Sequence, residues 1–165
     1  MMAVDQITVR LITAADLAAL HAREAHPDAH LAQRHLDRQQ AGGYFYALAE
    51  SQGVILGMSA LDCDPSGSLC PELKSLWVYP ESRRQGAARA LTTFLEGQAR
   101  ELGFVEVFLR VDPDNAAAIP MYIGLDYTPT GDHIATDYQW VDATGSANTR
   151  TQTDAVYRKS LLLTR

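Results

Sequence analysis

The chain has 165 residues, a formal net charge of −6 at pH 7 and an isoelectric point near 5.2. This length suits one domain, residues 1–165, with a sizeable core, and the acidic balance argues against a nucleic-acid-binding surface, which needs clustered basic residues. The sequence has two cysteines, and because they do not form a CxxC motif we expect both to be reduced thiols. Neither a membrane-crossing apolar run nor a secretory leader is recognisable, so we expect a soluble, cytoplasmic protein.

The first part of the chain predicts a strand, two helices and a β-hairpin. Residues 7–12 alternate apolar and polar side chains, as a half-buried strand does. Thr13 can cap a helix over residues 14–25, and Pro27 separates it from a second helix over residues 28–40 that stops at two glycines. Residues 44–50 and 54–62 are predicted strands joined by a tight turn. A loop over residues 64–69 follows.

The second part alternates strands and helices. We predict a strand over residues 73–79, a helix over 84–102 that ends at Gly103, and a strand over 105–111. A turn at 112–114, a short helix over 115–125 and two strands over 137–141 and 153–163 follow, with residues 142–152 as a polar loop. The order β-α-α-β-β-β-α-β-α-β-β predicts an α/β sandwich with a mixed, mostly antiparallel sheet of six to seven strands and about four helices.

Residues 72–91 join a predicted strand to a predicted helix, and the junction has features that favour binding of an anion. A helix start leaves backbone amides without intrahelical partners and carries a partial positive charge. Small side chains at this start let a diphosphate reach the amides, which can form an anion-binding nest; they are Gly86, Ala87 and Ala88. Three arginines add positive charge around the same turn; they are Arg83, Arg84 and Arg89. The alternative is a tight turn with solvated arginines.

Two other phosphate-binding signatures are missing from this sequence. No GxGxxG follows a strand, and no GxxxxGK[ST] supplies a phosphate-binding lysine. These absences argue against a dinucleotide or a nucleoside triphosphate held in those ways.

Two segments resemble the Gcn5-related N-acetyltransferase (GNAT) superfamily. The hexapeptide RRQGAA at residues 83–88 fits that family's [QR]xxGx[GA] motif, and LWVYP at residues 76–80 resembles the strand before it. The segment NAAAIPMYIGLDY at residues 115–127 is similar to the family's second landmark. Ala88 stands where the second glycine is commoner, Pro120 interrupts the predicted helix, and Asp126 replaces a frequent glycine.

The resemblance implies acetyl-coenzyme A as acyl-donor cosubstrate. Main-chain amides of Arg84, Gln85, Gly86, Ala87 and Ala88 are expected to hold its pyrophosphate, with Arg83 and Arg89 nearby. The exposed edge of the strand at Leu76, Trp77 and Val78 is expected to bind the pantetheine arm, and the Val78 N–H to polarise the thioester carbonyl. Asn115 caps the following helix or binds the same arm.

The resemblance also implies two catalytic side chains. Glu72 lies fourteen positions before Gly86, where some family members carry a general base; the alternatives are a surface glutamate paired with Lys74, or a water chain as the base. Tyr122 matches the tyrosine that protonates the departing thiolate, and its alternative is a packed helix residue. His133 is a reserve base.

The predicted function is therefore acetyl transfer from acetyl-coenzyme A to a primary amine, by direct attack and without an acyl-enzyme. The acceptor can be a small molecule or an amine of a peptide or protein, and the acidic chain could attract a cationic amine. We expect no nucleic-acid or membrane partner, a homodimer remains possible, and no metal site is expected from His21, His26, His30 and His35. The alternative is a catalytically silent module that senses acyl-coenzyme A.

Overall fold

The structure, a computed structural model, describes residues 6–25 and 27–162 of the chain. Within these residues the strands are β1 (Thr8–Leu11), β2 (Tyr44–Ser51), β3 (Val54–Asp62), β4 (Glu72–Val78), β5 (Glu106–Val111), β6 (Thr128–Val141) and β7 (Ala147–Ser160). The α-helices are α1 (Leu17–His21), α2 (Leu31–Ala41), α3 (Ala87–Glu101) and α4 (Ala118–Gly124). Strands β1, β2, β3 and β4 pair antiparallel in this order, and β6 pairs antiparallel with β7. The predicted α/β class, element order and mixed sheet are confirmed.

The chain divides into two compact units. The first extends through Val107 and resumes at Ser160, and the second is Phe108–Lys159. The single-domain organisation stays a prediction.

The core of the first unit is built on alternating residues of β2 and β3. Tyr44, Tyr46 and Leu48 alternate along β2 and join a buried cluster with Leu20 of α1 and Leu36 of α2. The residues between them point to the other face of the sheet, and α3 packs on β2 and β3. That helix contributes four buried apolar side chains, Ala87, Leu91, Leu95 and Ala99.

The segment before β2 is more broken than the sequence predicts. In place of one helix over residues 14–25, a 3-10 turn (Ala14–Asp16) leads into the short α1. A second 3-10 turn begins at Pro27, and His30 takes a left-handed φ of 50° before α2 starts. Pro27 is the first residue of the second 3-10 turn, where its missing N–H breaks no helical hydrogen bond.

A carboxylate fixes the start of the first 3-10 turn. Asp16 Oδ2 accepts hydrogen bonds from the Thr13 N–H at 2.8 Å and the Thr13 hydroxyl at 3.1 Å. The same carboxyl group receives two bonds from the Arg10 guanidinium, at 2.8 and 2.7 Å. Thr13 therefore occupies the predicted cap position, but Asp16 supplies the bonding.

In the second unit, β6 and β7 form a hairpin much longer than the sequence predicts. The strands pair antiparallel from Thr128↔Arg158 to Val141↔Ala147, so the prediction of a loop over residues 142–152 is wrong from residue 147 onward. The connecting turn is held by the Asp142 carboxylate, which accepts the N–H groups of Thr144 and Ser146. Most residues of β6 and half of those of β7 are exposed, so the full length of the pairing does not depend on an apolar alternation in the sequence. The end of the predicted strand over 153–163 lies outside the described residues.

Helix α4 begins three residues later than predicted. The Asn115 side-chain oxygen accepts the Ala118 N–H at 3.1 Å and caps the helix. Pro120 consequently falls in the first turn, where its missing N–H has no intrahelical partner to lose. Asp126, the residue that stands in place of a glycine, takes a left-handed φ of 73° just after the helix.

Among the described residues, no helix combines the length and apolarity needed to cross a bilayer. His26 lies outside the described residues.

Candidate functional site

The turn between β4 and α3 places two residues in the left-handed region. After a 3-10 turn at Pro80–Ser82, Arg84 has a φ of 65° and Gly86 a φ of 94°. Turns of this kind bring successive backbone N–H groups into a concave surface that suits an anion. The helix itself starts at Ala87 rather than at Arg84, because Gly86 is its left-handed N-cap residue.

The start of α3 leaves amides available to a ligand. Its first intrahelical hydrogen bond runs from the Ala90 N–H to the Gly86 carbonyl oxygen at 3.0 Å, so the amides of Ala87, Ala88 and Arg89 precede the bonded part of the helix. A Cβ added to Gly86 would meet no atom within 4 Å, which leaves this side of the turn open. The buried Ala87 side chain, 2% exposed, anchors the helix start in the core.

Arg83 connects this turn to β4. Its Nε donates a hydrogen bond to the Val78 carbonyl oxygen at 3.0 Å, and its guanidinium carbon lies 4.9 Å from the centre of the Trp77 ring. Arg84, Gln85 and Arg89 are exposed. Arg83 therefore holds the end of β4, whereas Arg84 and Arg89 present positive charge at the surface.

Strand β4 is distorted before it reaches the turn. Ala60 pairs with Lys74 and Met58 pairs with Trp77, so Ser75 and Leu76 together oppose Ser59. Ser75 takes a left-handed φ of 59° at this bulge. Bulges bend a strand and re-aim its side chains, and Trp77, two residues later, is half exposed. The sequence contains no glycine here that could have indicated the bulge.

Glu72, the predicted base, is buried rather than a surface residue. It is 6% exposed and opens β4 directly opposite Asp62 of β3. Lys74 Nζ lies 2.6 Å from Asp62 Oδ2, and Arg38 Nη2 donates to the same oxygen at 3.0 Å. Glu72 therefore begins the strand beside a partly exposed network of charged groups, and its catalytic role stays a prediction.

A cavity of about 480 Å³ lies in the first unit, between β3 and β4 and the segment that contains α1 and α2. Its wall combines the aromatic side chains of Tyr46, Trp77 and Tyr79 with the polar side chains of Glu24 and His35. No local motif in the sequence identifies Glu24 as a cavity residue, because the residues around the cavity come from distant parts of the chain.

His35 is held rigidly in this wall. Its Nδ1 lies 2.7 Å from the Tyr44 hydroxyl, and its ring stacks on Tyr46 with 4.0 Å between ring centres. Burial lowers the pKa of His35 to about 4, and the charges of Arg38, Lys74 and Arg34 act in the same direction. The imidazole is therefore uncharged at neutral pH. No cluster of potential metal-binding side chains occurs in the part of the chain that the structure describes.

Asn115 and Tyr122 belong to the second unit. The Tyr122 ring meets the Tyr127 ring edge-on, with 5.7 Å between centres. Burial raises the pKa of Tyr122 to about 12, so its hydroxyl keeps its proton throughout the neutral range. The side-chain oxygen of Asn115 is occupied by capping α4.

Comparison with known proteins places these features in a family. The sequence model of the acetyltransferase (GNAT) family matches residues 11–127. N-acetyltransferase 8F1 of Rattus norvegicus is 31% identical over 99 residues, which cover 58% of this chain and 44% of that protein. The chain spans less than half the length of the curated relatives it matches.

Solved structures share the fold. A phosphinothricin acetyltransferase from Sinorhizobium meliloti, in complex with acetyl-coenzyme A, is 22% identical with a TM-score of 0.68, over 93% of this chain and 88% of that one. A spermidine N-acetyltransferase from Vibrio cholerae, in complex with coenzyme A and spermine, is 17% identical with a TM-score of 0.70, over 94% and 96%. Since the family model covers well over half of the residues, the chain belongs to the acetyltransferase (GNAT) family.

Proposed function

We propose that this protein transfers an acetyl group from acetyl-coenzyme A to a primary amine. The observation that carries the proposal is the open, left-handed turn at Arg84 and Gly86, which presents the first amides of α3 beside the end of β4. The turn lies inside the segment that matches the acetyltransferase family.

The residues at the turn fit a diphosphate. The backbone N–H groups of Ala87, Ala88 and Arg89 lie at the N-terminus of a fifteen-residue helix, which is the positive end of the helix dipole. Gly86 leaves open space in front of them, and the exposed Arg84 and Arg89 add guanidinium groups that pair well with phosphate oxygens. The side of β4 that faces away from β3, at Leu76, Trp77 and Val78, would hold the pantetheine arm.

Acetyl-coenzyme A supplies a thioester whose acyl carbon can accept an amine. The nitrogen lone pair forms the new C–N bond, the electrons of the C–S bond leave with sulfur, and one amine proton must finally reach the thiolate. The chain's part is to orient both reactants, to polarise the carbonyl through the Val78 N–H, and to move that proton. Glu72 is the proposed acceptor of the amine proton, and the Tyr122 hydroxyl is the proposed donor to sulfur.

The cysteines support direct transfer without an acyl-enzyme. Burial raises the pKa of Cys63 to about 11 and raises the pKa of Cys70 as well. Since the thiolate is the nucleophilic form of cysteine, both side chains are poor nucleophiles at neutral pH.

Calorimetry with acetyl-coenzyme A tests the cosubstrate site. In Gly86→Ala, a Cβ at φ 94° introduces backbone strain of about 1–2 kcal/mol and projects into the open space of the turn; we expect the dissociation constant to rise by about tenfold or more. Gly103→Ala is the matched control, because Gly103 has a φ of 90°, has equally open surroundings and lies at the other end of α3. Equal effects of the two substitutions would contradict the site.

Thiol release with a panel of amines tests the activity. Wild-type protein should release coenzyme A only when an acceptor amine is present. Binding of acetyl-coenzyme A without product from any amine would instead identify a sensor of acyl-coenzyme A, and a lack of binding would overturn the proposal altogether.

A further inference from the structure

Glu24 is a buried carboxylate, and only one of its two oxygen atoms accepts a hydrogen bond from the described residues. Its side chain is 10% exposed. Oε1 accepts the Ala32 N–H at 2.9 Å and so caps the first turn of α2. Oε2 is buried and accepts no hydrogen bond from the described residues; His21 Nδ1 lies 3.4 Å away from it. Capping therefore explains one oxygen and leaves the other unexplained, since a buried acceptor without a donor costs free energy.

Among the described residues, no arginine or lysine forms an ion pair with Glu24. Arg23, the cationic side chain of the same wall, forms an ion pair with Glu81 and lies over the Tyr79 ring, 3.6 Å from its centre. His35 is uncharged at neutral pH because its pKa is lowered to about 4. Arg23 therefore does not occupy Glu24, and a cation that enters the cavity can pair with this carboxylate.

The rest of the wall suits a short apolar chain. Tyr46, Trp77 and Tyr79 contribute aromatic surface, and Leu20 and Met58 add apolar surface. Aromatic rings also attract cations. Ser75 and Trp77 of β4 line the same cavity as Glu24, so one molecule can reach from the carboxylate to the strand where we place the acyl group.

We infer that the acceptor is a short diamine, which Glu24 binds through its non-reacting ammonium group. The inference rests on the proposed function and specifies its acceptor. The ammonium held by Glu24 keeps its charge, the methylene chain lies along the aromatic wall, and the second amine nitrogen reaches β4 and forms the bond to the acyl carbon. The ammonium reaches Oε2 by displacing the His21 imidazole, whose side chain is 49% exposed and able to swing aside.

The test compares cadaverine with pentylamine, which has the same chain without the second cation. Wild-type protein should acetylate cadaverine with a kcat/KM about tenfold or more above that of pentylamine, as expected for a charge-assisted bond. Glu24→Gln should lower kcat/KM for cadaverine about tenfold and leave pentylamine within about twofold. This substitution keeps an amide oxygen that can accept the Ala32 N–H, so the cap on α2 is retained.

Glu101→Gln is the matched control, since it removes one exposed carboxylate from α3; it should leave the ratio of the two kcat/KM values unchanged. Equal use of both amines by the wild type, an unchanged ratio in Glu24→Gln, or acetylation of peptides without cadaverine would overturn the inference.

Calorimetry with cadaverine alone separates this inference from the proposed function. Binding that Glu24→Gln weakens about tenfold, in a protein that never releases coenzyme A, would support the diamine site and refute the transferase. Acetyl transfer to other amines, with no cadaverine binding, would refute the diamine site and leave the transferase intact.

Discussion

Gly57 in β3 lies directly against the backbone of Trp77 in β4. A Cβ added to Gly57 would stand 2.6 Å from the Trp77 carbonyl oxygen and 3.0 Å from the Val78 Cα. Since both contacts are to backbone atoms, no side-chain rotation can relieve them. The absence of a side chain at Gly57 thus sets the position of the strand segment that we propose binds the pantetheine arm.

Substitution of Gly57 by alanine should therefore displace β4 at Trp77 and Val78. We expect a loss of about 1–3 kcal/mol in the free energy of unfolding, typical of overpacking, and a fall of about tenfold in kcat/KM from misplacement of the acyl group. Urea unfolding and steady-state kinetics measure the two effects. Wild-type values for both would show that β4 accommodates the methyl group and does not need this close approach.

Gly97→Ala is the control for that substitution. Gly97 lies inside α3, and a Cβ there would meet no atom within 4 Å. Alanine is favoured over glycine in a helix by about 1 kcal/mol, so this variant should be more stable than the wild type and bind acetyl-coenzyme A equally well.

Much of the fold could be predicted because its signals are local. Pro27, the glycines at 42–43 and Gly103 end or interrupt helices, and the alternation along β2 and β3 reflects one face packed on helices. The predicted start of α3 was three residues early, because the sequence does not show that Gly86 adopts a left-handed φ and caps the helix.

Other features depend on partners distant in the chain. Most of β6 and the first half of β7 are exposed, so these segments show little of the apolar alternation from which the full length of the hairpin could be predicted. The bulge at Ser75 reflects the register between β3 and β4. Glu24 accepts a hydrogen bond from the Ala32 N–H and lines the cavity, and neither contact can be predicted from a local sequence pattern.

The Arg10–Asp16 ion pair should make the free energy of unfolding depend on pH in the acid range. The guanidinium binds the buried carboxylate through two nitrogen atoms and lowers the pKa of Asp16 from 3.8 to about 2. A lowered folded-state pKa gives stability that is complete above about pH 4 and is lost as the pH falls through 2. Asp16→Asn should cost about 2 kcal/mol at pH 7 and flatten the curve between pH 4 and 2 in urea unfolding. Asp28→Asn, at an exposed position, should change neither the stability at pH 7 nor the pH dependence between 4 and 2.

His35 should give a second, separate pH dependence. Its pKa is lowered from 6.5 to about 4 in the folded protein, mainly by burial. As the pH falls from 6.5 to 4 the unfolded chain binds the proton first, so stability decreases over this window. We expect a loss on the order of 1–2 kcal/mol, since part of the imidazole is exposed and screened. His35→Gln should abolish the slope between pH 6.5 and 4, and persistence of the slope in this variant would assign it to another group.

Glu72→Gln tests the proposed general base. If the carboxylate takes the amine proton, kcat/KM should fall by about a hundredfold and the acidic limb of its pH profile should disappear. Because Glu72 is buried at the start of β4, the thermal midpoint of the variant must be measured as well. An unchanged acidic limb together with unchanged kcat/KM would remove Glu72 from the mechanism and favour a water chain.

Tyr122→Phe tests the proposed general acid with little change in packing. The substitution keeps the ring that meets Tyr127 edge-on and removes only the hydroxyl. Since burial raises the pKa of Tyr122 to about 12, the wild-type hydroxyl is protonated at neutral pH and can supply a proton to the thiolate. We expect kcat at saturating acetyl-coenzyme A to fall by about 10- to 100-fold, while calorimetry shows the same affinity for acetyl-coenzyme A. A parallel fall in affinity would indicate a binding role for the hydroxyl, and full turnover would exclude it as the proton donor.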